Sequence, residues 1–189
     1  MKIELLFFFI KMEKLIGANK FHNCKFIRSI TLSHELTEIE KYAFYFCRNL
    51  ETVVISKTVT KIGYCAFALS GLKSIELPHG LTDIGESTFY YCVNLETVVI
   101  PETVTKIGFC AFKCSGLKSI TLLDGRLTEI GEYAFYRCRN LETIVIPKTV
   151  TKVGFSAFTN SGLKSIILPH GVEVEKDAFW NCHNLIVKF

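Results

Sequence analysis

Eight cysteines, five histidines and an evenly spaced series of serines are the residues of this chain whose types could do chemistry. Cys110 and Cys114 are four apart, so on a helical turn both thiols would face one way, as a pair of metal ligands would. No second pair of ligands accompanies them, and the corresponding pair earlier in the chain is Cys65 and Leu69, one sulfur short. His79 and His170 each stand in the tetrapeptide L-P-H-G. Four strand spacings would keep them about 19 Å apart, while the ligands of one zinc each come within about 2.1 Å of it. Ser29, Ser74, Ser119 and Ser165 offer hydroxyls, interleaved with Thr52, Thr97 and Thr143. A nucleophile needs a base within hydrogen-bond reach, and the positions beside these hydroxyls carry Lys, Glu and apolar residues but no His. Nor is there a glycine-rich phosphate loop, because the I-G glycines recur singly. The expectation is a chain that is not an enzyme, with no catalytic residue, no metal and no cofactor.

What must position these residues is a repeat. Ile27, Leu50, Leu72, Leu95, Leu117, Leu141, Leu163 and Leu185 form one column at intervals of 22 to 24 residues. Phe44, Phe67, Phe89, Phe112, Phe135, Phe158 and Phe179 form a second in the same register. A period of that length opening on L-x-x-[IV]-x-[IL] predicts a leucine-rich solenoid, since one unit cannot bury its apolar face without a neighbour. The seven repeats cover 27–184, Leu185–Phe189 adds a terminal strand, and residues 1–26 read as a degenerate N-terminal capping repeat of the same domain. No Pro/Gly/Ser-rich linker interrupts the chain.

Within each unit the alternation predicts a strand with Leu50, Val53 and Ile55 inward and Thr52 and Val54 outward, repeated as Leu72, Ile75 and Leu77 in the next unit. Proline follows the last inward residue at Pro78, Pro101, Pro147 and Pro169, where a missing N–H costs nothing. A second short strand is expected at Val59 to Ile62. Then Ile62, Ala66, Phe67 and Ser70 stand at helical spacing, which predicts a short helix on the outer wall. The residue before each leading Leu alternates as Asn49, Gly71, Asn94, Gly116, Asn140, Gly162 and Asn184, which predicts a left-handed turn there in every unit. Charge alternates too, as Arg28, Glu51, Lys73, Glu96, Lys118, Glu142 and Lys164 in one column. A second column reads Glu38, Lys61, Asp83, Lys106, Glu129, Lys152 and Glu173. A slip of one repeat would stack like charges, so these ladders read as register control.

The full pattern L-x-x-[IV]-x-[IL]-P-x-x-[VL]-T-x-I-G-x-x-A-F-x-x-C-x-x-L, running from 27 to 189, resembles the BspA-like or treponemal-type leucine-rich repeats. That resemblance implies an α/β solenoid, a curved right-handed stack with short parallel strands on one or two faces and short helical turns on the outer wall. It also implies a cell-surface or secreted protein that binds host or partner proteins, as in adhesion, with no catalytic residues to carry over.

Cysteine placement bears on the compartment. Cys47, Cys92, Cys138 and Cys182 share a column but occupy alternate units, near 10 Å apart, and a disulfide needs Cα atoms within about 7 Å. Only Cys24 and Cys47 fall on adjacent rungs, so reduced, buried thiols are expected. The apolar patch Leu5 to Ile10 is shorter than a signal core of about 7–15 residues and far shorter than a membrane span of about 18. No clear leader, anchor or membrane insertion is therefore read, although 49% of residues are apolar. Net charge is only +4 with no basic stripe, which argues against nucleic acid as a partner.

Two surface strips remain. The outward positions of the main sheet are Thr31, Val54, Glu76, Val99, Thr121, Val145 and Ile167, flanked by Thr52 and the other hydroxyls, and exposed apolar residues there are consistent with a contact surface for a protein or glycan. The aromatic strip comprises Tyr45, Tyr90, Tyr136 and Trp180 in one kind of unit and Tyr64, Phe109 and Phe155 in the other, expected to interlock as packing. The alternative to a binding module is a self-assembling scaffold, a homo-oligomer joined through the apolar edge at Leu185–Phe189.

Overall fold

The computed structural model describes residues 8–9 and 14–189, so most of the apolar patch at Leu5 to Ile10 lies outside the described residues. The chain winds through about eight turns of a parallel β-solenoid. Each turn carries a short strand on each of two faces. On the main face Phe8–Phe9, Ser29–Thr31 and Thr52–Val54 pair in parallel, as do Thr97–Ile100 with Ser119–Leu122, and Thr143–Val145 with Ser165–Ile167 and then Ile186–Lys188. The second face stacks two-residue strands in two sheets, Leu15–Ile16 through Lys61–Ile62 and Asp83–Ile84 through Glu173–Val174.

Register follows the columns read from the sequence. Ser29 lies opposite Thr52, Ile30 opposite Val53 and Thr31 opposite Val54. Leu50, Leu72 and Leu95 are each fully buried. The phenylalanine column becomes a continuous stack along the core, from Phe21 on Phe44 at 5.1 Å to Phe158 on Phe179 at 5.5 Å, every pair within 16° of parallel. The main sheet is not continuous, however. The turn at 72–77 contributes only the bridge from Ser74 to Thr97, and pairing stops again between Ser119–Leu122 and Thr143–Val145. The second gap follows the one unit that has a residue more before its second strand and Leu123-Asp124-Gly125-Arg126 in place of the proline turn.

The outer wall corrects the sequence reading, because among the described residues there is no helix. The N–H groups of the Y-A-F segment are divided between two uses. Ala43, Tyr45 and Cys47 donate three residues back, to Glu40, Tyr42 and Phe44, while Tyr42, Phe44 and Phe46 donate across to Tyr64, Ala66 and Ala68 of the next turn. A helix would take all of these donors internally. Here every second one joins neighbouring turns, so the wall is a stack of tight turns. Ala and Phe fall at helix-like spacing because successive turns also bring every third or fourth residue to one side.

That geometry also moves the left-handed residues. Positive φ occurs twice per turn, before the Ala (Thr88 in one turn) at Tyr42, Cys65, Ser87, Cys110, Tyr133, Ser156 and Asp177, and again after the Phe at Phe46, Leu69, Tyr91, Cys114, Arg137, Asn160 and Asn181. Of the seven positions expected to be left-handed, Asn184 alone is, with φ 59°. The alternating glycines answer a different need. A Cβ on Gly71 would stand 2.1 Å from the Arg48 carbonyl oxygen, and Gly116 and Gly162 meet Val93 and Arg139 in the same way. The Asn turns project a backbone oxygen that leaves the turn stacked on it no room for a side chain.

Candidate interaction surface

The residues singled out for chemistry are dispersed by the fold. The Ser29 hydroxyl accepts from Thr52 at 2.8 Å. His79 faces Glu102 at 3.3 Å, and His170 stacks on Phe189 at 5.8 Å. Among the described residues no group of three or more His, Cys, Asp or Glu side chains could hold a metal ion, and no helix is long and apolar enough to cross a membrane.

All eight cysteines are free thiols, Cys24 and Cys47 included. The column of Cys47, Cys92, Cys138 and Cys182 alternates with Ser70, Ser115 and Ser161, and from Cys92 on each of its thiols is tied to the preceding turn by two contacts. Cys92 donates to the Phe67 carbonyl at 3.1 Å and lies 3.4 Å from the Ser70 hydroxyl, and Cys138 repeats this with Phe112 and Ser115. Burial pushes these thiols up, Cys92 to about 11 and Cys138 to about 12, so they are inert core donors at neutral pH.

Charge pairing is more local than the sequence columns imply. Glu51 takes Lys73 at 2.7 Å and Arg28 at 3.6 Å, Glu96 takes Lys118 at 2.8 Å, and Glu142 takes Lys164 at 2.6 Å. The ladder thus separates into clusters, each lysine reaching back to the preceding turn. On the second face Lys61 pairs with Glu38 and Lys106 with Glu129. Lys152 lies opposite Glu173 in register but extends to Glu175 at 2.7 Å. Glu175 offers it more, because its other oxygen accepts from the Phe155 N–H at 2.6 Å.

The predicted aromatic interlock exists but is centred on residues the sequence reading did not name. Tyr133 meets Phe109, Phe155 and Tyr136 edge-on at 5.4–5.8 Å, and Tyr42 does the same with Tyr45 and Tyr64. Tyr42 and Tyr133 are both among the left-handed residues, at φ 58° and 54°. Trp180 remains 60% exposed.

The strongest feature for contact is the outward column of the main face. Thr52, Glu76 and Thr121 are exposed, and Val54, Val99, Val145 and Ile167 are between 42 and 59% exposed. Thr31 is half-buried. The two sheet gaps divide the column into blocks, with Val99 opposite Thr121 and Val145 opposite Ile167. Beside the last block lies a mostly apolar groove of about 550 Å³, lined by Val145, Pro147, Ile167, Pro169 and Phe189 together with the polar Asp124, Lys148 and His170. Sequence reasoning missed this groove. Its signal was the extra residue near Asp124, which breaks the pairing beside it.

Six copies of the family described as BspA type leucine rich repeat region match the sequence over residues 14–125 and 66–186. The chain belongs to this family. A BspA-type assignment agrees with the solved structures to which the chain is similar. A leucine-rich repeat protein from Bacteroides ovatus is 27% identical with a TM-score of 0.71, covering 90% of this chain and 51% of its own. The Treponema pallidum leucine-rich repeat protein is 21% identical with a TM-score of 0.57, over 81% of this chain and 66% of that one. The pneumococcal vaccine antigen PcpA is 19% identical with a TM-score of 0.54, over 88% and 53%. The chain thus spans about half to two thirds of the length of these structures. Comparison with curated protein sequences gives no match. BspA-type repeats are consistent with a protein-binding module, and leucine-rich-repeat solenoids are in general non-enzymatic.

Proposed function

We propose that this chain is a non-catalytic binding module that takes a protein or glycan ligand on its main-sheet face, in adhesion or partner recognition. The single observation that carries the reading is the outward column, in which Val54, Val99, Val145 and Ile167 are held in water at 42–59% exposure. Isolated exposed apolar residues are ordinary, but a row of them fixed on a hydrogen-bonded face supports a contact surface. Thr52, Glu76 and Thr121 lie in or beside the same strip and would supply polar contacts. A face formed by stacked strands also changes shape little on binding, which limits the entropy cost of association.

The test is a side-by-side pull-down from an extracellular-matrix extract and from own-cell lysate, using wild-type protein and the triple variant Val54→Asp, Val99→Asp, Val145→Asp. Because the three side chains are exposed, the variant is expected to keep its circular dichroism spectrum and melting temperature while losing the partner. Retention of the partner by a folded triple variant would refute the assignment.

A second reading, self-association, is supported by the strand Ile186–Lys188. It pairs with Ser165–Ile167 on one side, and Ile186, Val187 and Phe189 are 58, 41 and 71% exposed. Such an edge accepts another strand, whether from a second copy or from a further turn of a longer chain. Light scattering of the wild type against Ile186→Lys checks it, a concentration-dependent dimer abolished by the substitution being the expected result.

A further inference from the structure

From a second, separate surface we infer that the turns around Gly116 form a binding notch for a tetrahedral oxyanion ester, the sulfate or phosphate group of a modified sugar. The notch has a volume of about 380 Å³ and is lined by Tyr91, Val93, Cys114, Gly116, Arg137 and Arg139, with Ser115 and Asn140 completing its wall. It lies on a different part of the solenoid from the Val54–Ile167 column and does not depend on the function proposed for that column.

The notch exists because of the Asn/Gly alternation. Counted from Phe89, Phe112 and Phe135, the fourth residue on is Val93, Gly116 and Arg139, and the lack of a side chain at Gly116 is enforced by the Val93 oxygen at 2.1 Å from its would-be Cβ. A recess is therefore left between Val93 and Arg139. Arg137, left-handed at φ 58°, lines the same recess.

Charge distinguishes this recess from the ladders on the sheet faces. Along the sheet faces Arg28, Lys61, Lys73, Lys106, Lys118, Lys152 and Lys164 each reach a glutamate. Among the described residues, Arg137 and Arg139 form no ion pair with a carboxylate. Arg137 lies instead over the Tyr136 ring at 5.2 Å, and no Asp or Glu lines the recess. Lys113, held over the Tyr133 and Tyr136 rings, adds a third cation nearby. The field of all three is felt by Cys114, whose thiol is raised by burial but pulled back down by Lys113, Arg137 and Arg139. Two guanidinium groups bordering one recess offer the planar donor geometry that sulfate and phosphate oxygens accept. The remaining volume, with the Tyr91 ring and the Asn140 amide on its wall, has the size and polarity for the sugar that carries the ester.

Cys114 provides a probe inside the notch. The experiment measures iodoacetamide alkylation of Cys114 by peptide mass mapping, with glucose 6-phosphate, glucose 6-sulfate or unmodified glucose present, and follows the same additions by amide chemical shifts. One or both esters are expected to slow Cys114 alkylation at least threefold and to shift amides around 114–116 and 137–140, while glucose does neither. Protection by one ester alone supports the site and identifies its source. The variant Arg137→Gln, Arg139→Gln changes two exposed side chains, so it is expected to keep its melting temperature and to bind the effective ester at least tenfold more weakly. Equal protection by glucose, no protection by either ester, or unchanged binding by a folded double variant would each overturn the inference.

Discussion

Truncating the middle of the phenylalanine stack is the most direct test of how this solenoid is held together. Phe112 is fully buried and stacks on Phe89 at 5.2 Å and on Phe135 at 5.4 Å. Phe112→Ala removes a large side chain that adjacent turns cannot collapse around, because their backbones are pinned by bonds such as Phe112 N–H to Ala134 O at 2.8 Å. Phe-to-Ala substitutions in such sites cost about 3–5 kcal/mol, of which the two aromatic pairs account for about 1–3. Phe179 is only partly buried and stacks on Phe158 alone, so Phe179→Ala is expected to cost about 1–2.5 kcal/mol. Urea denaturation followed by circular dichroism reads the difference. With a slope of about 3 kcal/mol/M for a chain of this size, Phe112→Ala should lower the midpoint by about 1–2 M. Because each turn contacts only its neighbours, the central variant should also broaden the transition or split it, whereas the terminal one should not. Equal shifts for the two variants, or a cost for Phe112→Ala below about 1.5 kcal/mol, would refute the view that the stack couples the turns.

Other outcomes follow from the same geometry. Gly116→Ala is expected to destabilise far more than Gly171→Ala, since the first Cβ would lie 2.1 Å from a backbone oxygen and the second, at φ 78°, meets nothing within 4 Å; thermal melts compare them. Glu51 and Glu175 are held below the usual carboxylate range by hydrogen bonds from Lys73 and from Lys152 with Phe155. Their contribution is complete above the unfolded carboxylate pKa of about 4.3 and is lost as pH falls through the lower folded values. Stability should therefore drop on acidification below about pH 4, and Glu175→Gln should flatten that dependence. Cys92 and Cys138, with thiols raised to about 11 and about 12, should resist alkylation at pH 8 in the native protein and react readily in urea, as mass spectrometry of the labelled peptides would show. Exchanging Glu96→Lys and Lys118→Glu together keeps a local pair and should change stability by less than about 1 kcal/mol.

Much of the architecture was legible because it depends on period. Leu50, Leu72 and Leu95 recur at nearly constant spacing, one turn needs that many residues to surround its own core, and the Phe44-to-Phe179 column could fill that core only by stacking. The outward positions Thr52, Val54, Glu76, Val99, Thr121, Val145 and Ile167 followed from strand alternation alone. The helix did not follow, because Ile62, Ala66, Phe67 and Ser70 show the same spacing whether their N–H groups bond within the turn or to the next one. Asn49 and Gly71 were misread for a related reason: both tolerate positive φ, and nothing local reveals that Gly71 is needed for close approach to Arg48.

The amino-acid sequence by itself determined which side chains face the core, how long each turn is and which positions meet from turn to turn. Those properties are set by hydrophobic period and chain length. Only the tertiary structure decided how the backbone donors are shared between turns, which glutamate Lys152 reaches, where the main sheet is interrupted and that Arg137 and Arg139 border one recess. Each of these depends on the distance between atoms about 22 residues apart, and that distance exists only once the turns have been laid on one another.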